Sequence, residues 1–424
     1  MEIRDPIHGS IFLTECEEAI IESVEFQRLR EIKQLGFSEF SFPGATHNRF
    51  LHSIGVSHVS GKVFDHIFRA YPFQKSQNKL KFRTLVKLAA LLHDIGHGPL
   101  SHTTEEVMPQ LSELDIAVYT NQTNRKSNHE DYTIKFVTQS NIAKIISEYC
   151  HDIDPYHVAC LIDKNLPSDP EVFQDGKIDY RMLLSQIVSS ELDADRMDYL
   201  ERDSFYCGIS YGNIDRDWLI QNLTIHIKDY KAYLALNRRA LYSFDDFLIS
   251  RHHMHLMVYF HHKSVIYDEM LLRYLTSKDC QFFLPPDLEH YISYTDYKLY
   301  EHLDTTENIW AKRISERTPY KVATELHNQS PERVDNIKSI LTDAKIDYIY
   351  TSSSIRLSKY HATSATSDDS IYVVDQYDKW DKPTQINSAT QIFQKYEGAR
   401  IIDRVYVSPE DVLRAKKILT EKKY

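Results

Sequence analysis

The residue types best suited to chemistry are concentrated in one ten-residue stretch, HDIGHGPLSH at positions 93–102. An adjacent His93–Asp94 pair follows an apolar run, and two further histidines, His97 and His102, come soon after it. Neighbouring histidine and carboxylate side chains can give one metal ion both a nitrogen and an oxygen ligand. A His-Asp pair alone also occurs by chance, but the added histidines indicate metal-assisted hydrolysis.

Two distant segments can complete a ligand set around this pair. His52 lies on a predicted helix whose other face is apolar, and a helical bundle would bring the two regions together. The segment 191–203, ELDADRMDYLERD, offers a further carboxylate, and spacing alone leaves Asp193 and Asp195 as alternatives. Acidic residues at this density also suit a solvated helix face. One face of the predicted helix would carry Asp195, Tyr199 and Asp203.

A predicted helix at about 243–277 offers groups that suit a phosphate and a planar or sugar moiety. One of its faces would carry Arg251, His255, Tyr259 and His262. Arg49 and Arg251 can neutralise a polyphosphate, because a guanidinium group forms paired hydrogen bonds with phosphate oxygens. An amphipathic helix with a polar exterior would show the same periodicity. Four side chains near the metal could transfer the proton: His97, His102, Glu105 and His129.

The composition predicts a soluble globular protein and excludes several functional classes. The chain has 424 residues, of which 42% are hydrophobic and 26% charged, and it has no apolar run long enough to span a membrane. A net charge of −11 disfavours stable binding of long nucleic acid, which depends on neutralising phosphates. A charged N-terminus and five scattered cysteines predict a reducing, cytoplasmic location.

The pattern of apolar residues predicts a mainly α protein. Helical periodicity dominates up to about residue 275, apart from a strand-like alternation at 222–237 that predicts a small β-hairpin. Strand patterns appear among helices after about residue 300. We therefore predict a helical catalytic domain at 1–300, with its metal core at about 45–205, and a smaller C-terminal α/β lobe at 301–424.

The motifs and their order resemble those of the HD-domain deoxynucleoside triphosphate (dNTP) triphosphohydrolases. The combination of HNRF-x-HS and HD-x-GHGP-x-SH is far more specific than a lone His-Asp pair. The resemblance implies an HD-type helical bundle and hydrolysis of a dNTP at the α-phosphate, which releases deoxynucleoside and inorganic triphosphate. The matching segments cover most of residues 1–275: DPIHG at 5–9, FQRLREIKQLG at 26–36, FPGATHNRFLHSIGV at 42–56, HDIGHGPLSH at 93–102, HE at 129–130, LDADRMDYLERD at 192–203 and RHHMHLMVYFHHK at 251–263.

The resemblance implies roles for the residues around the metal. The implied ligands are His52, His93, Asp94 and Asp195. This set favours Asp195 over Asp193. The residues that match catalytic positions beside the metal are His97, Glu105 and His129, with Glu105 standing where the family often has Asp. His102 matches the histidine that protonates the leaving group.

The resemblance also implies a substrate cleft. Gln34 and Leu35 match residues that close on the deoxyribose and leave no room for a 2′-hydroxyl. Tyr199 would lie under the sugar, and Asp203 would reach its 3′-hydroxyl. His255 joins this predicted substrate set from the face of the helix described above. The residues that match phosphate-contacting positions are Arg49, Arg196, Arg251 and Tyr259.

Regulation and assembly are further expectations from the resemblance. Glu22, Gln27 and Arg30 resemble part of an allosteric nucleotide site at subunit contacts, with Glu22 standing where Asp is usual. The resemblance therefore predicts a homo-oligomer and an activating nucleotide. A ligand set of two histidines and two aspartates suits many divalent ions, namely Mn, Mg, Fe, Co, Ni or Zn.

Two alternative functions share the same residues. The chain could be another HD phosphohydrolase, acting on a nucleoside monophosphate, a cyclic nucleotide or a guanosine polyphosphate. It could instead be a nucleotide-gated regulatory subunit, for example in phage defence, with conditional hydrolysis. Products of hydrolysis distinguish the first alternative, and ligand binding without turnover would indicate the second.

Overall fold

A computed structural model describes residues 1–120, 124–355, 357, 370–378, 382–392 and 398–422. Helices predominate in these residues, which confirms the predicted mainly α class. The α-helices are α1 Glu15–Ile21, α2 Val24–Gln27, α3 Arg49–Ile67, α4 Ser76–Leu92, α5 Leu111–Leu114, α6 His129–Gln139, α7 Asn141–Tyr149, α8 Pro155–Ile162, α9 Arg181–Val188, α10 Ala194–Cys207, α11 Arg216–Gln221, α12 Leu241–Met254, α13 His262–Leu275, α14 Leu288–Tyr291, α15 Asp296–Thr305, α16 Ile309–Ser315, α17 Pro331–Asp343, α18 Ile386–Ala389 and α19 Val412–Glu421.

The strands form small sheets at the edges of the helical body. They are β1 Glu2–Asp5, β2 Gly9–Phe12, β3 Gln174–Asp175, β4 Ile178–Asp179, β5 Leu223–Lys228, β6 Lys231–Asn237, β7 Lys321–His327, β8 Tyr348–Ile355, β9 Tyr372–Val374, β10 Thr384–Gln385 and β11 Arg400–Val407. The antiparallel pair β5–β6 is the predicted hairpin. A second antiparallel hairpin, β1–β2, begins the chain and was not predicted from the sequence.

The centre of the fold is a crossing of three helices. The apolar second half of α4 is buried and packs along α3, because the run LVKLAALL has almost no exposed side. The helix α10 crosses α3 at Gly55, where a Cβ atom would lie 2.0 Å from Asp198 Oδ1. The crossing therefore brings the first half of α3 close to the end of α4 and the start of α10.

The prediction of one uninterrupted helix at 243–277 is wrong. The α-helix α12 ends at Met254 and is followed by a π-helical turn, His255–Tyr259, in which Phe260 N–H donates to His255 O at 2.8 Å. The next helix, α13, begins anew at His262. The five-residue turn shifts the register, so His262 does not join the face that the regular period predicted.

The residues beyond 300 contribute to two separate sheets. The sheet β7–β11–β8 carries α17 and α19 on one face, as expected for a small α/β lobe. The strand β9 instead pairs in parallel with β6, so this part of the chain extends the hairpin of the helical body. The domain boundary at residue 300 stays a prediction. No helix in the described ranges is both long and apolar enough to cross a membrane.

Candidate metal centre and substrate cleft

Three of the predicted ligands meet where α3, α4 and α10 converge. His52 lies in α3, His93 directly follows α4, and Asp195 lies in the first turn of α10. Asp195 Oδ1 is 3.1 Å from His52 Nε2 and 3.7 Å from His93 Nε2. One potential ligand atom from each residue lies within 4.8 Å of the others, which is a spacing that one metal ion can bridge.

The fourth predicted ligand, Asp94, lies at the edge of this group. Its Oδ1 is 3.5 Å from His93 Nε2, and its Oδ2 is 3.7 Å from His52 Nε2. The same carboxylate is in direct contact with the Arg49 guanidinium. Burial raises the pKa of Asp94, but Arg49, His93 and His97 together outweigh burial and hold that pKa well below its usual range.

The hydrogen bonds of the two histidines fit a divalent cation. His52 Nδ1 is 2.8 Å from Asp198 Oδ2, and His93 Nδ1 is 2.8 Å from the carbonyl oxygen of Ala90. Both partners are acceptors, so each Nδ1 carries the proton and each Nε2 is left to bind a metal. His93 Nε2 is buried and has no hydrogen-bond partner among the described residues.

Protons compete with a cation for this site. Burial lowers the pKa of His52, but hydrogen bonds with Asp195 and Asp198 outweigh it and raise that pKa to about 10. Burial raises the pKa of Asp195, whereas its hydrogen bonds with His52 and His93 lower it strongly. A cation bound at His52 Nε2 therefore has to displace a proton.

Asp193 has a different function from Asp195. It is the N-cap of α10, where its carboxylate accepts hydrogen bonds from the backbone N–H groups of Arg196 at 2.8 Å and Ser190 at 2.7 Å. The structure therefore places Asp195, and not Asp193, in the candidate ligand group.

The turn that follows α4 is held by contacts to its backbone. Arg28 donates to the carbonyl oxygens of Ile95 and His97, and Tyr291 donates to Gly96 O at 2.7 Å. Gly96 allows α6 to pack against the turn, because a Cβ atom there would lie 2.1 Å from His129 O. These contacts fix the direction in which the His-Asp pair leaves the helix.

A second group of side chains adjoins the metal ligands: His97, His102, Glu105 and His129. Glu105 Oε1 lies 2.6 Å from His129 Nδ1 and 3.1 Å from His102 Nδ1, so both histidines donate to it. Burial raises the pKa of Glu105, but these hydrogen bonds outweigh it and lower that pKa to about 2. By distance alone this group could also hold an ion.

His97 connects the two groups. Its ring stacks on His129 with 3.9 Å between centroids, and its Nε2 lies 3.3 Å from Asp94 Oδ1. Burial lowers the pKa of His97 well below its usual value, which keeps the ring neutral. Its Nδ1 is buried and has no hydrogen-bond partner in the described part of the chain.

A cleft of about 360 Å³ opens beside these groups. Most of the predicted substrate residues line it: Gln34, Leu35, Arg49, Tyr199, Asp203, His255 and Tyr259, together with His102. Asp203 is held in place at the cleft by His47 Nε2 at 2.7 Å and by the Tyr259 hydroxyl at 2.8 Å. The cleft also contains Asp268, which the sequence did not indicate.

Two predicted phosphate-binding arginines are not among the residues that line the cleft. Arg251 Nη2 is 3.1 Å from Glu191 Oε1, and it also donates to the carbonyl oxygen of Leu357. Arg196 Nη1 is 3.9 Å from the other oxygen of Glu191. Sequence reasoning missed Glu191, whose fully buried carboxylate lies near both guanidinium groups. Their contact with phosphate stays a prediction.

A buried carboxylate from outside the predicted site joins two edges of the cleft. Asp296, at the start of α15, accepts hydrogen bonds from the backbone N–H groups of Leu100 at 2.8 Å and Lys33 at 2.9 Å. Leu100 and Ser101 have left-handed φ values of 50° and 58°. This backbone presents Ser101 Oγ to Arg49, whose Nε and Nη2 donate to it at 3.0 and 2.8 Å.

The three residues of the predicted allosteric site lie near one another at the surface. Glu22 is exposed at the end of α1, and Gln27 donates to the carbonyl oxygen of Ile21 at 2.7 Å. Arg30 Nε donates to Gln27 Oε1 at 2.7 Å, and its guanidinium lies over the Phe50 ring. Their nucleotide-binding function stays a prediction.

Comparison with known protein families agrees with this geometry. A model of the HD domain matches residues 49–203, and a model of the HD-associated region matches residues 214–346. The chain thus contains an HD domain followed by an HD-associated region. HD domains bind divalent metals, and this HD domain contains all four predicted ligands. The HD-associated region supplies the other side of the cleft, including His255, Tyr259 and Asp268.

Relatives of this HD-domain chain include named dNTP hydrolases. It is 30% identical over 278 residues to the deoxynucleoside triphosphate triphosphohydrolase SAMHD1 homolog of Dictyostelium discoideum, covering 65% of this chain and 49% of the relative. The human SAMHD1 is 29% identical over 284 residues, covering 63% and 43%. An uncharacterized protein of Methanocaldococcus jannaschii is 31% identical over 319 residues, covering 75% and 58%. The chain thus spans about half the length of the curated relatives it matches.

Solved structures share the fold over almost the whole HD-domain chain. A hypothetical protein from Aquifex aeolicus is 27% identical, with a TM-score of 0.76 and 99% of both chains covered. A phosphohydrolase from Bacteroides thetaiotaomicron is 24% identical, with a TM-score of 0.69 and 96% and 99% of the chains covered. The second likeness supports the fold alone.

Proposed function

We propose that this protein is a metal-dependent dNTP triphosphohydrolase. The observation that supports this function best is the position of Arg49, which contacts Asp94 at the metal site and also lines the cleft. A phosphate bound by Arg49 would therefore lie next to the metal ligands. The named activity of the SAMHD1 relatives supports a dNTP as the substrate.

The residues suited to hold the ion are His52, His93, Asp94 and Asp195. A divalent ion supplies Lewis acidity and lowers the pKa of a water molecule. Arg49, fixed by Ser101, would neutralise charge on the α-phosphate. The water oxygen forms a bond to the α-phosphorus, and the bond from that phosphorus to the 5′-oxygen breaks. The products are inorganic triphosphate and deoxynucleoside.

Two histidines are suited to transfer the protons of this reaction. His97 is neutral and has an unpartnered Nδ1, which can accept the proton released by the attacking water. His102 donates from Nδ1 to Glu105, which fixes the orientation of its ring. His102 lines the cleft and, when protonated at Nε2, would give that proton to the departing 5′-oxygen.

The cleft residues would select the sugar. Asp203 is ordered by His47 and Tyr259 and can accept a hydrogen bond from a 3′-hydroxyl. Gln34 and Leu35 would close against C2′ of the deoxyribose, where a ribonucleotide carries an additional hydroxyl. We therefore propose that dNTPs are preferred over ribonucleotides. Activation by a second nucleotide and homo-oligomerisation belong to the same proposal.

One observation favours a second candidate function. Arg196 and Arg251 are paired with Glu191, so the cleft in this conformation offers fewer cations than a triphosphate would need. A substrate with a shorter phosphate group, such as a nucleoside monophosphate, would fit this arrangement. The second candidate is therefore another HD phosphohydrolase with the same metal site.

Product analysis distinguishes the two candidates. The purified protein would be incubated with Mn²⁺ and each dNTP, ribonucleotide or nucleoside monophosphate, singly and in dNTP mixtures, and the products separated by anion exchange. Inorganic triphosphate from dNTPs is the expected product. Orthophosphate or pyrophosphate as the sole inorganic product would contradict the proposal. Asp195→Asn protein prepared in the same way controls for contaminating phosphatases.

A further inference from the structure

The N-terminal motif DPIHG lies far from the metal ligands in sequence but reaches them in space. It forms the end of β1 and the turn into β2. Asp5 Oδ1 accepts hydrogen bonds from the backbone N–H groups of Ile7 and His8, both at 2.8 Å, which shapes the turn. The side chain of His8 then points inward and has no exposed surface.

One carboxylate connects this turn to a candidate metal ligand. Asp198 Oδ1 lies 2.6 Å from His8 Nε2, and Asp198 Oδ2 lies 2.8 Å from His52 Nδ1. Arg202 donates to both oxygens at 2.8 Å, and its Nη1 donates to Asp5 Oδ2 at 2.9 Å. Asp198, His8 and Arg202 have fully buried side chains, so water cannot replace these contacts.

The donors and acceptors in this chain of contacts allow one arrangement of protons. Arg216 Nη1 lies 3.1 Å from His8 Nδ1, and a guanidinium group can only donate. His8 Nδ1 must therefore be the acceptor, so Nε2 carries the proton and donates to Asp198. Asp198 in turn accepts from His52 Nδ1, which leaves His52 Nε2 free to bind a metal.

The close packing of α3 and α10 leaves room for this network at Gly55. Gly55 lies on α3 beneath Asp198, and a Cβ atom there would come within 2.0 Å of Asp198 Oδ1 and 2.4 Å of Arg202 Nη2. A larger residue would push the carboxylate away from His52. The absence of a side chain at position 55 is thus part of the geometry that joins the N-terminal turn to the metal site.

We propose that His8 is a positioning residue for the metal site: through Asp198 it fixes the tautomer and direction of His52. It does not touch the metal, the substrate or the reacting atoms. The inference rests on the proposed use of His52 as a ligand. It predicts that the N-terminal hairpin controls metal affinity, although residues 1–13 lie outside the matched HD domain.

Metal binding without nucleotide tests this inference separately from the dNTP reaction. Full-length protein would be stripped with a chelator, and its affinity for Mn²⁺ measured by electron paramagnetic resonance and by the Mn²⁺-dependent shift in Tm. His8→Leu should weaken Mn²⁺ binding by about 10-fold, the lower end of the effect of losing a direct partner of a ligand, because His8 acts through Asp198. His8→Gln, which can still donate to Asp198, should restore much of the affinity.

His58→Leu is the matched control. His58 is a half-buried histidine on α3, and its ring centroid lies 5.4 Å from that of His8. The His58→Leu protein should bind Mn²⁺ with the same affinity as the unmodified protein. Equal Mn²⁺ affinity in His8→Leu and His58→Leu would overturn the proposal. If His8→Leu does not fold, Arg216→Met decides, because it keeps His8 but removes its donor. Affinity unchanged in Arg216→Met would then overturn it, and a several-fold loss would support it.

Discussion

Asp193 and Asp195 lie two residues apart at the start of α10, yet their carboxylates have different partners. Asp193 accepts two backbone N–H groups and caps the helix. Asp195 points toward His52 and His93 and accepts no such backbone hydrogen bonds from the residues that the structure describes. Substitution of Asp195 should therefore remove a metal ligand, whereas substitution of Asp193 should remove a helix cap.

Asp195→Asn should lose the metal and its metal-supported turnover while keeping its fold. An amide is a poor ligand for a divalent ion compared with a carboxylate. Asp193→Ala should keep the metal but lose about 0.5–2 kcal/mol of stability, the usual effect of removing an N-cap. Metal content, turnover and Tm of both variants give the comparison. Full metal occupancy in Asp195→Asn would contradict the assignment.

Asp268 should make stability depend on pH. Burial raises its pKa to about 7, although a hydrogen bond from Thr103 and the charge of His102 lower it in part. The folded protein therefore holds this proton more tightly than the unfolded chain does. The stability that follows is fully present below the ordinary pKa of 3.8 and is lost as the pH rises through about 7.

Replacing Asp268 with Asn removes this titration. The Tm of Asp268→Asn relative to the unmodified protein should therefore be higher at pH 8 than at pH 5. Ionised Asp268 would also repel a phosphate in the cleft, so the variant should show a smaller rise in KM above pH 7. A difference in Tm that is the same at both pH values would contradict the raised pKa of Asp268.

The sequence indicated the candidate metal ligands because their types, spacing and neighbours are distinctive, and the resemblance chose Asp195 over Asp193. Glu191, Asp268 and Asp296 were missed for a different reason. Their partners are backbone N–H groups, arginines or a threonine from other elements, and no local spacing marks such contacts. An aspartate that is buried by tertiary packing has the same sequence appearance as one on a solvated surface.

At the scale of elements, the cleft depends on how separate loops are joined. Asp296 begins α15 and binds the backbone at Lys33 and at Leu100. These two contacts set the distance between the segment that carries Gln34 and Leu35 and the loop that carries Ser101 and His102. The HD-associated region thereby fixes both edges of the cleft.

Asp296→Asn should loosen this connection. An amide offers one acceptor oxygen where the carboxylate offers two, so one backbone N–H group would lose its partner, at about 1–3 kcal/mol. Turnover should fall, KM should rise and the preference for dNTPs over ribonucleotides should weaken. Asp304→Asn, at an exposed position of the same helix, is the control. Loss of stability with unchanged substrate preference would contradict a positioning function.

The π-helical turn shows a limit of periodicity at this scale. Regular spacing predicted one helix through Arg251, His255, Tyr259 and His262, but the turn His255–Tyr259 ends that period. His255 and Tyr259 still reach the cleft, because both lie within the turn itself. A π-helical turn has more residues per turn than an α-helix, so the side chains that follow it point in directions that the regular α-helical period does not predict.

At the scale of the whole molecule, the metal site and the cleft come from different parts of the chain. Residues 49–203 provide the ligands, and residues 214–346 provide much of the cleft. Leu357, beyond both segments, contacts Arg251 through its carbonyl oxygen. The sequence predicted the helical class and the hairpin, but it could not show that β9 would pair with β6, because that contact joins segments more than a hundred residues apart.

Hydrolysis of a dNTP in ¹⁸O-labelled water tests the central claim most directly. Attack on the α-phosphorus should place one ¹⁸O atom in inorganic triphosphate and none in the deoxynucleoside, as measured by mass spectrometry of both products. Labelled orthophosphate or pyrophosphate without triphosphate, or label in the deoxynucleoside, would contradict the proposed reaction.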